Sequence, residues 1–252
     1  RMEVFKTHGK IYEASASQMF GVPLNTIVKG HENYALRAKG KVAELALGYQ
    51  GSVGALVAMG ADKMGLTEHE MKDIVSRWRN TSKRIVELWY ALENSAVEVI
   101  KTGQKQTVKC VTLAIEFDIT FGQEFLTILL PSGRKLFYPK PHLKENQFGS
   151  MQMHYKGINQ TSKKWEIIPT YGGKLTENVV QAIARDCLTE TLLRVKQKGW
   201  QVAFHVHDEI ILDAPKSVSL EEVEQVMGES ISWAPGLILK AAGFVSDYYM
   251  KD

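Results

Sequence analysis

The stretch Phe204-His205-Val206-His207-Asp208-Glu209-Ile210-Ile211-Leu212 constrains this chain more than any other. Val202, Phe204 and Val206 alternate with Ala203, His205 and His207, the period-two pattern of a half-buried strand. The apolar run Ile210 to Leu212 follows at once, so only His207-Asp208-Glu209 remains for a bend between two strands. Two adjacent carboxylates at a tight bend between buried strands repel each other and lose solvent, and a divalent cation relieves both costs. Oxygen donors of this kind suit Mg²⁺. Taken alone, these residues fit a solvated hairpin tip with ordinary acidic side chains better. A zinc site on His205 and His207, which share a face, is a weaker alternative because no further ligands stand at zinc spacing.

Two other stretches gain meaning beside this one. Over residues 33–47, Leu36, Gly40, Ala43 and Leu47 fall on one narrow helical stripe, while Arg37, Lys41, Leu45 and Tyr49 recur every fourth residue on the opposite side. Cations one turn apart destabilise a helix by roughly 0.2–0.5 kcal/mol unless an anion sits between them. Gly40 inside the helix costs about 1 kcal/mol against Ala, which predicts a close backbone contact. A solvated basic face explains Arg37 and Lys41 but not the Leu and Tyr that continue it. The third stretch follows Gly172-Gly173. Thr176 is expected to cap a helix running to about Lys198, with Val180, Ile183, Ala184, Cys187 and Leu188 as its core face. Gln181 and Arg185 lie beside that stripe, placed to read a groove edge and a neighbouring phosphate, or to serve simply as polar boundary residues.

Elsewhere, residues 10–20 read as a short helix ended by Gly21 and Pro23. Thr67 and Glu70 predict a capping box opening a helix to about Ile100, with Arg77, Arg79, Lys83 and Arg84 on a solvated face. Residues 106–138 alternate around Pro131-Ser132-Gly133 and predict a β-hairpin arm, whereas residues 139–170 read as irregular, basic loop. Residues 219–230 are an exposed helix, and residues 233–252 a final extended segment able to pair at a sheet edge.

The chain has 252 residues, 44% of them hydrophobic, enough for a substantial core and two lobes. A net charge of +3 permits an anionic partner without demanding one. Cys110 and Cys187 stand far apart, as structural thiols of a reducing compartment do. No apolar run reaches the roughly 20 residues of a membrane span and no signal-peptide pattern opens the chain, so a soluble protein without a membrane partner is expected. The opening Arg1-Met2-Glu3-Val4-Phe5 reads as the start of a piece of something longer.

Together these stretches resemble the family A DNA polymerases, the bacterial DNA polymerase I family, and most closely their phage-type members. Arg37-x-x-x-Lys41-x-x-x-Leu45-x-x-x-Tyr49-x-Gly51 is similar to motif B of the fingers. The resemblance implies that Arg37 and Lys41 hold the triphosphate, that Leu45 packs on the incoming nucleotide and that Tyr49 sits near the templating base. Gln181-Ala-Ile-Ala-Arg-Asp186 resembles the family's Gln-Gly-Thr-Ala-Ala-Asp helix, whose Gln reads the minor groove. His207-Asp208-Glu209 is similar to motif C, which implies Mg²⁺ on Asp208, support from Glu209 and His207 near the primer terminus. Lys10 to Phe20 resembles the Asp-x-His-x-x-Thr-Ala segment, with Lys10 and Tyr12 in place of its Asp and His. Leu45 likewise replaces the family's Phe or Tyr. Motif A, Asp-x-Ser-x-Ile-Glu-x-Arg, does not occur in these 252 residues.

The expected fold is α+β: a helical fingers lobe over residues 1–165, and over residues 166–252 a palm lobe with an antiparallel sheet and packed helices. The expected function is template-directed DNA synthesis, with primer-template DNA and dNTP as partners in a bacterial or phage-infected cytoplasm. An upstream segment carrying motif A is expected as a further partner, the fragment alone being inactive and self-associating through an open sheet edge. The alternative is a non-catalytic nucleic-acid-binding piece that complements a partner chain supplying motif A.

Overall fold

Capping and packing signals set the helical part of the chain, which the computed structural model describes over residues 2–250. Helices α1 (Met2–Thr7), α2 (Ile11–Phe20), α3 (Leu36–Leu47), α4 (Val53–Ala58), α5 (Glu68–Thr81) and α6 (Lys83–Thr102) follow one another, with short 3₁₀ turns at Leu24–Thr26 and Glu32–Ala35. The Thr67–Glu70 capping box opens α5 as expected, Thr67 Oγ1 accepting from the Glu70 amide. The helix predicted over 67–100, however, is broken at the buried Ser82. Trp78 and Trp89 explain the break: in one continuous helix they would lie about 16 Å apart along the axis. Across the bend their rings stack 5.9 Å apart and nearly parallel. Both indoles are buried with their N–H satisfied, Trp78 by Glu44 and Trp89 by the Gly48 carbonyl. Arg79 also leaves the predicted solvated face and donates to the Gly51 carbonyl at 3.1 Å.

Two antiparallel sheets follow. Strands β1 (Gln106–Val108), β2 (Val111–Asp118), β3 (Gln123–Leu129) and β4 (Lys135–Pro139) form a sheet in sequence order. The Pro131-Ser132-Gly133 turn lies between β3 and β4, so the arm is present and larger than one hairpin. Residues 139–170 are not irregular loop. They form β5 (His142–Glu145), β6 (Met151–Ile158) and β7 (Trp165–Pro169), a three-stranded antiparallel sheet. Its turns are made by Asn146 and Asn159, whose Oδ1 atoms each accept two nearby backbone amides. Buried Tyr138 on β4 meets Tyr155 on β6 edge to face, 5.0 Å between centroids. Burial pushes the Tyr138 phenol up to about 12, with Asn178 donating to its oxygen.

Helix α7 (Gly172–Gln197), strands β8 (Gln201–Val206) and β9 (Glu209–Asp213), and helix α8 (Leu220–Gly228) complete an α+β fold whose sheets are antiparallel. Thr176 does not cap α7. It is buried inside the first turns, its hydroxyl donating to the Gly172 carbonyl, and the helix begins at the glycines themselves. A Cβ on Gly172 would stand 2.0 Å from the Trp89 carbonyl oxygen, and one on Gly173 2.3 Å from that of Tyr49. The free Gly173 amide finds the Gln50 side chain at 2.7 Å.

By its contacts the chain divides into two compact units. One comprises residues up to Leu129 with Lys135–Val179, and the other Leu130–Arg134 with Val180 onward. The core of the first gathers Met19, Val42, Leu47, Leu56, Ile74 and the two tryptophans. In the second, Arg194 on α7 donates to the carbonyls of Val226, Glu229 and Ser230, closing the C-terminal end of α8. Beyond α8 the described residues form turns and irregular chain rather than a pairing strand, and Lys251 and Asp252 lie outside the described residues. Among the described residues no helix is long and apolar enough to cross a membrane.

Candidate nucleotide and nucleic-acid site

Helix α3 carries the first set of candidate residues because its two faces differ in what they touch. Gly40, Ala43 and Leu47 are buried, and a Cβ on Gly40 would meet the Tyr12 carbonyl oxygen at 2.2 Å and the Ala16 Cβ at 3.0 Å. The glycine therefore lets α3 lie against the backbone of α2, the close contact expected from the sequence. On the opposite side Arg37 is half-buried, Lys41 exposed, Leu45 46% exposed and Tyr49 half-buried. A leucine so exposed on a helix whose other face is packed is available to a ligand. Burial, followed by the Glu177 charge, raises the Tyr49 phenol above its usual value.

The packing of α2 supplies what the two cations needed. The Arg37 guanidinium donates to Glu13 at 2.8 Å and lies 5.4 Å from the centre of the Tyr12 ring, with the Lys41 ammonium 5.9 Å from the same ring. Burial pushes the Glu13 carboxyl up, but the Arg37 hydrogen bond, a backbone hydrogen bond and the charges of Arg37 and Lys10 together outweigh it, and the pKa falls below the usual carboxylate value. Tyr12 and Glu13 therefore hold the cationic face, a role the sequence reading did not give them. Glu13 lies far from Arg37 in sequence, and only the α2–α3 contact joins them.

The second set lies on α7 and the β8–β9 ribbon. Gln181 and Arg185 are exposed, as a groove-reading pair requires. The predicted core face is shifted: Val180 is 44% exposed and Ala184 is exposed, while Ala182, Asp186, Cys187, Leu188 and Val195 are buried. Of the predicted face, Cys187 and Leu188 are buried and Ile183 is half-buried, so the departure is at Val180 and Ala184. Arg185 Nη2 lies 3.3 Å from His205 Nε2, which brings the α7 face to strand β8.

The ribbon differs from the expectation in two respects. Its pairing slips between Val202 and Phe204, so Val202 faces with Leu212 while Phe204 faces with Ile211. Neighbours on β9 point to opposite faces, so Val202 and Phe204 do as well, and the simple alternation is broken by a bulge. Nor are the strands buried: Phe204 is 41% exposed, Asp208 is exposed and Glu209 is half-buried. The predicted loss of solvent therefore does not occur at Asp208 and is only partial at Glu209. His207 sits in the tight turn with φ of 49°, the left-handed region that such turns use. Glu209 pairs with Val206 at the start of β9, so Asp208 alone occupies the tip beside His207.

Among the described residues no three His, Cys, Asp or Glu side chains come together as a metal cluster. The zinc alternative on His205 and His207 thus lacks ligands, and Arg185 lies against a ring nitrogen of His205. Mg²⁺ asks less of the protein, being held commonly by one or two carboxylates with waters and substrate phosphates. An exposed Asp208 at a turn tip, next to Glu209, fits part of such a set.

A further group was not singled out from the sequence. Asp186 is buried on the core stripe of α7, where it accepts from Arg134 Nε at 2.6 Å and from the Ser132 hydroxyl. Arg134 also donates to the Ala182 carbonyl at 2.9 Å. The legible signal was a carboxylate seven residues after Val179 on an apolar stripe, since a buried charge requires a partner.

No family model matches the chain. Over its whole length the chain is similar to the DNA polymerase of Bacillus phage SP02, 52% identical across 256 aligned residues. It spans 38% of the length of that protein. The resemblance to DNA polymerases drawn from the motifs thus has a counterpart along the entire chain.

Proposed function

From a chain related throughout to part of a phage DNA polymerase, we propose that these residues serve template-directed DNA synthesis as the fingers and C-terminal palm regions of a family A enzyme. Residues 1–165 are assigned to the fingers region and residues 166–252 to the palm. The observation that carries the reading is the outward face of α3, where a packed helix presents Arg37, Lys41 and Leu45 in a row and Tyr49 follows in the turn after it. A salt-bridged Arg, an exposed Lys and an exposed Leu on one helix suit a molecule that is polyanionic at one end and flat and apolar at the other, as a dNTP is.

In this reading the primer 3′-hydroxyl attacks the α-phosphate of the nucleotide and pyrophosphate leaves. Arg37 and Lys41 hold the β- and γ-phosphates and neutralise the charge that grows on the departing group. Leu45 packs against the nucleotide and Tyr49 borders the templating base. Gln181 reaches the minor groove, Arg185 a backbone phosphate, and His207 the primer terminus. Asp208, supported by Glu209, would hold Mg²⁺, which would supply positive charge to the reacting phosphate. The sequence lacks the Asp-x-Ser-x-Ile-Glu-x-Arg strand, so a second metal-holding carboxylate comes from polypeptide outside these residues. The chain alone then extends primers negligibly, because small misplacements of an in-line geometry cost orders of magnitude in rate.

The test is primer extension by the full-length polymerase that contains this chain, with and without Asp208→Ala. The expected result is loss of synthesis with duplex affinity retained. Extension at the parental rate by the variant, or robust Asp208-dependent extension by the 252-residue chain alone, would overturn the assignment.

A further inference from the structure

The three-stranded sheet β5–β6–β7 has no part in the function proposed above, yet its two faces are chemically opposite. The register pairs His142 with His154, Leu143 with Met153, Lys144 with Gln152 and Glu145 with Met151. Across β6 and β7 it pairs Tyr155 with Ile168, Lys156 with Ile167, Gly157 with Glu166 and Ile158 with Trp165. Paired residues share a face and neighbours alternate. One face therefore carries Met153, 3% exposed, together with Tyr155 against Tyr138, and this face packs inward. Both carboxylates of the three strands, Glu145 and Glu166, belong to that side.

The other face is open and has no carboxylate. Trp165 is 60% exposed and Ile158, opposite it, 54%. Four residues back along β6, about 13 Å at strand rise, His142 and His154 stack with centroids 5.7 Å apart and planes 29° apart. Lys156 lies between the histidine pair and Trp165, and Lys144 lies beyond the histidines. Lys163 and Lys164 in the turn before β7 add charge beside Trp165.

We propose that this face binds single-stranded DNA, its bases stacking on Trp165 and the His142–His154 pair and its phosphates meeting Lys156 and Lys144. A flat sheet with spaced rings and interleaved cations is what a single strand requires, because every base has a π-face and every linkage an anion. A duplex hides its bases and would meet only the lysines. A protein partner with a basic surface is excluded by charge, because the face carries lysines and no carboxylate. The choice of DNA over RNA rests on the polymerase reading; the stacking face does not.

The experiment is fluorescence anisotropy of a labelled oligothymidine titrated with the 252-residue chain, compared with Trp165→Ala, Trp165→Phe and Lys156→Ala. Trp165→Ala should weaken binding by about 5- to 150-fold, the range for loss of one base–aromatic stack, whereas Trp165→Phe should keep most of it. Lys156→Ala should lower the slope of log affinity against log salt by about 0.7, one phosphate contact on a single strand. Trp165 and Lys156 are not core residues, and unchanged circular dichroism in each variant confirms that the fold persists. Parental affinity in both Trp165→Ala and Lys156→Ala, or duplex bound as tightly as oligothymidine with Trp165 irrelevant, would overturn the proposal. Preference for an oligouridine of equal length would keep the platform and refute the choice of DNA. Failure of the Asp208 experiment would leave this titration untouched, so the two readings fail separately.

Discussion

Replacing Gly40 with alanine should loosen the junction on which the cationic face of α3 is built. In isolation the change favours the helix by about 1 kcal/mol. Against that gain, the added Cβ would stand 2.2 Å from the Tyr12 carbonyl oxygen, 3.0 Å from the Ala16 Cβ and 3.1 Å from the Ala16 nitrogen. Non-bonded heavy atoms rest comfortably nearer 3.5 Å, so α2 must retreat by about 1 Å. The nearest obstacle is backbone and cannot rotate away, which places the cost in the upper part of the usual overpacking range, about 2–3 kcal/mol. The net effect is a loss of about 1–2 kcal/mol. At roughly 2–4 °C per kcal/mol for a chain of this size, the melting temperature should fall by about 2–8 °C.

The control is Gly54→Ala in α4, where a Cβ would meet nothing within 4 Å. That variant should be neutral or stabilised by up to about 1 kcal/mol. Urea denaturation followed by circular dichroism measures both. Gly40→Ala as stable as the parent, or shifted in the same direction as Gly54→Ala, would refute the close-packing argument. Because α2 also carries Tyr12 and Glu13, its retreat should disturb the ring and carboxylate that hold Arg37 and Lys41.

Lys41→Ala, in the full-length polymerase, should weaken apparent nucleotide affinity far more than duplex affinity, and equal losses in both would count against the triphosphate assignment. Arg134→Ala leaves the buried Asp186 carboxylate without its cation and should cost about 1–3 kcal/mol in denaturant stability, more than Asp186→Asn; a loss within error would show that the pair contributes nothing. The pKa of Glu13 is lowered on folding, so the stability it contributes is present above the ordinary carboxylate range and disappears as pH falls through the lowered folded value. Stability profiles of the parent and Glu13→Gln should accordingly separate near neutral pH and converge in acid, and parallel profiles would refute the pairing with Arg37.

Much of this chain was written in local pattern. The capping box at Thr67, the helix end at Gly21, the packed stripe around Gly40 and the tight His207-Asp208 turn all follow from residues within a few positions of each other. The order of the three polymerase-like stretches was equally legible, because exposed side chains such as Lys41 and Leu45 continue faces that packing alone does not explain. What the sequence could not decide depends on contacts between distant segments. The break at Ser82 is set by two tryptophans that stack only once the chain has bent. The sheet of residues 142–169 rests on Asn-centred turns and cross-strand pairing, and its period-two signal is diluted by lysines and histidines on the open face. The bulge in β8 slips one residue, and the partner strand rather than the alternation decides where it falls. Arg134 meets Asp186, and Glu13 meets Arg37, across separations no local window spans. Periodicity reports which side of an element is buried, but the identity of what it is buried against, and of the charge that answers a charge, belongs to the tertiary structure.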